Sequence, residues 1–213
     1  MNASLARGTL PMSLSPECSC CHEAGHAVAW VVNGDQLLLV IGRSDANLTP
    51  EQESVRDGSI VGAGGGTVDL VNQLFRARRS GGATIRQGAK SSCEHCKNSV
   101  FTDTCPACMR TLTHHLACIF AGGSATAHLL PDEHHGSQLR DDLAQVDDLL
   151  QRAIASEERR KNIRNQAEQK AHELIKRESK AVQNLASELL VRGVLDGSEA
   201  EQIVRNNLQS LRF

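Results

Sequence analysis

The 213-residue sequence contains no tyrosine, one tryptophan and four phenylalanines, an aromatic share of only 2%. Its core must therefore be packed from Leu, Ile, Val and Ala, and it has no aromatic platform on which the bases of a single-stranded nucleic acid could stack. Basic charge is not in excess either. A formal net charge of −2 argues against a general nucleic-acid binder, which needs a strong positive balance. No run reaches the ~20 apolar residues required to span a bilayer. Met1 to Leu14 has one Arg and no sustained apolar stretch, so it does not read as a signal peptide. These absences lead to the expectation of a cytoplasmic chain with neither membrane nor nucleic acid as partner. Hydrophobic and charged shares of 40% and 23% are ordinary for a globular chain, and the length suits one domain carrying a small insertion.

The segment Cys21-His22-Glu23-Ala24-Gly25-His26-Ala27-Val28-Ala29-Trp30 carries the most chemistry. Positions i and i+4 of a helix share a face, so His22 and His26 can grip one Zn²⁺ while Glu23 activates a water as general base. A surface helix can match so short a pattern by chance. Here the flanks are small and apolar (Ala24, Gly25, Ala27, Val28, Ala29), which predicts a buried helix. Ser15-Pro16 suits its start and Asn33-Gly34 its stop. Two histidines and a glutamate buried without partners would cost several kcal/mol, and a metal supplies the partner.

Around this helix the pattern predicts a mainly α (α+β) chain with a small sheet. Residues 1–14 read as a flexible tail and 15–213 as the folded domain. Leu37 to Ile41 predicts a short buried strand, and Ser59 to Ala63 a second. One helical turn is expected after Thr49-Pro50. Gly64-Gly65-Gly66 has no Lys-Ser/Thr after it, so it is not a phosphate-binding loop. Val68 to Ala77 suits a short helix, and the basic, glycine-containing stretch 76–90 reads as a linker or exposed arm. Helical spacing then runs from Pro106 to Leu130, with Gly122-Gly123 implying close helix packing. A long helix is expected from about Ser137, with its apolar face on Leu139, Leu143, Val146, Leu149, Leu150 and Ile154. The charged Arg159-Arg160-Lys161 marks a helix continuation or joint. Ala171 to Leu190 is again amphipathic, closed by Arg192-Gly193, and a last helix starts near Asp196-Gly197-Ser198.

Eight cysteines in an unexported chain are expected to remain thiols or to bind metal. Cys93-x-x-Cys96 and Cys105-x-x-Cys108 form two knuckles that can close one tetrahedral structural zinc site. The polar, core-poor stretch Ser91 to Thr104 has little else to fold it, against the alternatives of two local disulfides or spectator thiols. An inserted zinc knuckle over 91–110 is the reading adopted, with His95 able to stand in for a cysteine. Cys18, Cys20 and Cys21 precede the metal helix; Cys21 reads as a small buried residue and the other two as exposed thiols.

A catalytic zinc takes three protein ligands and leaves one position open. The helix offers two, and the third is sought among His114, His115, Glu133, His134, His135, Asp141 and Asp142. His-Glu-Ala-Gly-His followed by Ala-Val resembles the zinc helix of the FtsH-type AAA+ membrane proteases. In that family a Gly-Ala-x-x-Asp-Leu-x-x-Ala helix supplies the third ligand. The similar stretch here is Gly136-Ser137-Gln138-Leu139-Arg140-Asp141-Asp142-Leu143-Ala144, whose Asp-Leu step falls on Asp142-Leu143. The resemblance thus implies Asp142, with Asp141 open because the gap after Gly136 is longer by a residue or so. Leu116 to Ala125 is similar to the family's Leu-Gly-Gly-Arg-Ala-Ala-Glu helix, with Ser124 in place of Arg. Residues 171–197 are similar to its closing helices.

The resemblance implies a zinc metalloendopeptidase with one catalytic and one structural Zn²⁺, acting on peptides or unfolded proteins. No Walker A sequence, ATPase module or membrane helix accompanies it, so the expectation is a stand-alone domain that is ATP-independent by itself. Such a domain takes short or unstructured substrates or relies on a separate delivery partner. The family's hexameric rings imply self-association. A non-catalytic adaptor, in which the cysteine knuckle binds protein or nucleic acid, is the alternative; intact Glu23 favours the enzyme.

Overall fold

The structure, a computed structural model, describes residues 15–43, 46–52, 83–86, 103–133 and 136–209. The first helix, α1 (Pro16–Val32), begins as its sequence dictates. The Ser15 hydroxyl accepts a hydrogen bond from the Cys18 backbone N–H at 3.1 Å, and Pro16 occupies the first turn, where its missing N–H costs nothing. Asn33 ends the helix. Gly34 follows at φ 86°, a left-handed conformation that glycine adopts without a Cβ penalty, and turns the chain into β1 (Gln36–Ile41).

β1 is the central strand of three, flanked by β2 (Ala83–Arg86) and β3 (Val194–Asp196), both antiparallel to it. β2 corrects the expectation of a continuous linker over 76–90. Its Thr84-Ile85 pair is β-branched and suits a strand, and β1 needs backbone partners along that side; the arginines and glycines around it hid the signal. β1 is paired along both of its edges. Leu39 and Val40 pair on one side with Thr84 and Ala83, and on the other with Asp196 and Leu195. The expected strand at 59–63, the glycine run 64–66 and the helix at 68–77 lie outside the described residues. The helical turn at 50–52 is present. It opens with a reciprocal cap: Thr49 N–H donates to Gln52 Oε1 at 3.0 Å, and Gln52 N–H donates to Thr49 Oγ1 at 3.3 Å.

The helices α2 (Pro106–Leu129), α3 (Gly136–Ala153), α4 (Glu157–Arg177), α5 (Ser179–Arg192) and α6 (Gly197–Asn207) complete the described chain. α2 runs unbroken through Gly122-Gly123, and the Thr126 hydroxyl donates to both glycine carbonyls, at 3.4 and 3.0 Å. The joint expected near Arg159 falls slightly earlier, at 154–156, where Ser156 caps α4. The amphipathic stretch 171–190 is two helices rather than one. They part at Glu178, which is fully buried and accepts hydrogen bonds from Arg177 Nε at 2.7 Å and from the Gln209 backbone N–H at 2.8 Å. Apolar spacing continues smoothly across that point, so only the distant Gln209 reveals the break.

Two apolar clusters meet at α2. Cys118, Ala121 and Ala125 face a core built from α1, β1, α5 and α6. Leu112, Leu116, Ile119 and Phe120 face a second core with Val146, Leu149 and Leu150 of α3 and Ala167 and Ala171 of α4. α1 is enclosed on every side from His22 to Val31. Such a helix shows no polar face in its sequence, and any charged group it carries must be answered inside the protein.

Candidate metal centre

Crossing of α1 and α2 brings their backbones unusually close. A Cβ on Gly25 would stand 2.5 Å from the Ala121 carbonyl oxygen and 2.6 Å from the Ala125 Cβ, so only glycine fits. This contact sets His26 against α2, where its Nδ1 donates to the Cys118 carbonyl at 2.8 Å. The Cys118 thiol in turn accepts from Asn33 Nδ2 at 2.8 Å, tying the end of α1 to the same point. With Nδ1 committed to a carbonyl, a neutral His26 must present a bare Nε2 to the interior.

That nitrogen faces one other imidazole nitrogen and a carboxylate oxygen. His26 Nε2 and His22 Nε2 are 3.0 Å apart, and Asp142 Oδ2 lies 3.1 Å from His22 Nε2 and 3.3 Å from His26 Nε2. All three residues are buried, at 2%, 0% and 4% exposure. Asp142 reaches the site because α3 packs Val146, Leu149 and Leu150 inward, and position 142 shares that face at helical spacing. Asp141 points outward and is exposed.

The donor set fits a metal ion. Asp142 Oδ2 is enclosed and lies 3.1 and 3.3 Å from the two imidazole nitrogens. A single proton satisfies at most two of the three atoms, whereas one divalent cation satisfies all three. Donor atoms around an ion at about 2.1 Å stand roughly 3.0–3.4 Å apart in octahedral or tetrahedral geometry, which matches the separations here. Two imidazoles with one carboxylate suit zinc and similar transition metals far better than calcium or magnesium. Among the described residues, His22, His26 and Asp142 are the group of ligating side chains close enough to share an ion.

The charged groups of the site also act on one another. Burial acts to lower the His26 pKa, but the Asp142 and Glu23 charges, with the Cys118 bond, outweigh it and raise it to about 9. Burial acts to raise Asp142, and the two imidazoles overcome that to bring it to about 2. The pocket favours a carboxylate facing positive charge. Glu23 is buried, at 4% exposure, one residue along α1 from His22, and its charge is felt at His26.

The remaining candidates take other places. His114 is exposed on α2, and His115 packs edge-on to Trp30 with ring centroids 5.0 Å apart. Glu133 accepts a hydrogen bond from the Ser15 hydroxyl at 2.7 Å and so steadies the start of α1. His134 and His135 lie outside the described residues, as do Cys93, Cys96 and His95. Cys105 stands at the N-cap position of α2 and Cys108 sits in its first turn, both buried. Cys18 and Cys20, expected as exposed thiols, are buried at 1%, because α1 is covered on all sides; Cys20 donates to the Gly42 carbonyl. Cys21, expected to be buried, is only partly so. Gly122 and the Cys118 carbonyl were not anticipated as parts of the site. The glycine doublet was a visible signal, while a backbone carbonyl has none.

The sequence matches no protein-family model and no curated protein. No helix among the described residues is long and apolar enough to cross a membrane.

Proposed function

We propose that the protein is a zinc-dependent, FtsH-like peptidase that hydrolyses peptide bonds with Glu23 as general base. The observation that carries this reading is the convergence of His22 Nε2, His26 Nε2 and Asp142 Oδ2 within 3.0–3.3 Å of one another, with a buried glutamate at the adjoining position of the same helix. His22, His26 and Asp142 would hold the ion. When bound, zinc supplies a Lewis acid for the scissile carbonyl and brings the pKa of a water to roughly 7. Glu23 would take the proton from that water and pass it to the leaving amine. The carbonyl of Cys118 keeps His26 in the tautomer this arrangement needs.

Peptides or unfolded proteins are the proposed substrates, handed over by a partner where they are folded, in the cytoplasm. Ring-like self-association and a structural zinc on Cys93, Cys96, Cys105 and Cys108 belong to the same proposal. The test is cleavage of an unfolded casein-like protein in the presence of zinc. Glu23→Gln is expected to lower the rate by about 10²–10⁴-fold while leaving bound zinc and helical content unchanged. A variant that cleaves as fast as the parent would remove Glu23 from this role.

A further inference from the structure

We infer that Gly122 is a positioning residue for the metal, kept without a side chain so that both imidazoles can lie against α2. This rests on the reading of His22, His26 and Asp142 as metal ligands. A Cβ at position 122 would run into His26 Nε2 and stand 2.7 Å from His26 Cε1 and 2.8 Å from His22 Nε2. These are the two nitrogens that face Asp142, so an added methyl group would enter the space that an ion must share.

The rings cannot easily retreat from such a group. His26 is held through Nδ1 by the Cys118 carbonyl, and Cys118 is held through its thiol by Asn33. The helices cannot separate to make room without opening the seam where Gly25 lies against Ala121 and Ala125. α2 is meanwhile kept regular at this weak point by the Thr126 hydroxyl on the Gly122 and Gly123 carbonyls. Gly123 offers an internal control. A Cβ there meets only the tip of the Leu139 side chain, at 2.8 Å, which a rotamer change can relieve.

The experiment is titration of the metal-free full-length chain with Co²⁺, read by its visible ligand-field absorption. A His22→Ala chain measured in parallel is subtracted, to remove the contribution of the cysteines. The parent is expected to show a histidine-dependent band. Gly122→Ala is expected to weaken binding by about tenfold or more or to change the band shape, while Gly123→Ala stays within about threefold of the parent. If the parent shows no histidine-dependent band, the metal reading itself fails. If the parent binds and Gly122→Ala matches it in affinity and spectrum, the role given to Gly122 fails alone. Should Gly122→Ala not fold, the same change is made together with His22→Ala and His26→Ala, which removes both rings the methyl would strike. Recovery of folding supports the proposal. Persistent unfolding places the conflict elsewhere and overturns it.

Discussion

His26 donates through Nδ1 to the carbonyl of Cys118 at 2.8 Å, across 92 positions of the chain. That bond decides which face of the imidazole is free. It leaves Nε2 toward His22 and Asp142, and it makes the backbone of α2 a part of the candidate metal centre.

Replacement of the third ligand should separate Asp142 from its neighbour. Asp142→Ala is expected to reduce zinc affinity by more than the roughly 10–100-fold that loss of an outer-shell partner costs, whereas Asp141→Ala, on the exposed face of α3, should leave it unchanged. Competition against a chelator of known affinity measures both. Equal losses would mean that the two aspartates share the role.

Metal content distinguishes enzyme from adaptor. The parent chain should carry two zinc ions by elemental analysis. Cys105→Ser with Cys108→Ser should carry one, and still lose that one on changing His22. A parent with a single zinc that vanishes with the cysteines would favour the adaptor.

The α1–α2 seam should be intolerant of bulk. Gly25→Ala places a methyl 2.5 Å from the Ala121 carbonyl oxygen, and overpacking of this kind costs about 1–3 kcal/mol. Urea unfolding, at constant slope, is the measurement. An unchanged midpoint would show that the helices can part more easily than their packing suggests.

Acid should destabilise the fold partly through His115. Burial lowers its pKa to about 4 from the usual 6.5, and its Nδ1 is enclosed without a hydrogen-bond partner. The unfolded chain therefore takes up a proton on this residue below pH 6.5 while the folded chain does not until near pH 4. Stability is unaffected above that window and falls as pH drops through it, by about 1–3 kcal/mol. His115→Gln should flatten this slope between pH 7 and 4.5 in urea titrations. A slope equal to the parent's would assign the acid sensitivity to other groups.

The helix α1 was the most legible part of the chain. Its cap, its termination at Asn33-Gly34 and its buried character are local properties, set by Ser15-Pro16, by Gly34 and by the run of alanines. Asp142 was readable in principle, since it shares helical spacing with Leu139 and Val146 and so must face inward, while Asp141 cannot. β2 was not legible, because four residues between glycines and arginines become a strand only when β1 is there to pair with them. The break at Glu178 was equally hidden, as one of the two groups that answer its buried carboxylate comes from the distant Gln209.

By itself, then, the sequence determined that α1 would form, be enclosed and carry two imidazoles and a carboxylate on one stretch of helix, because capping and i,i+4 spacing are local. Only the tertiary structure decided that Asp142 would meet those imidazoles, that Cys118 would orient one of them and that Gly122 would leave them room. Those relations depend on how closely two helices cross, and that distance is set by the small residues on both at once.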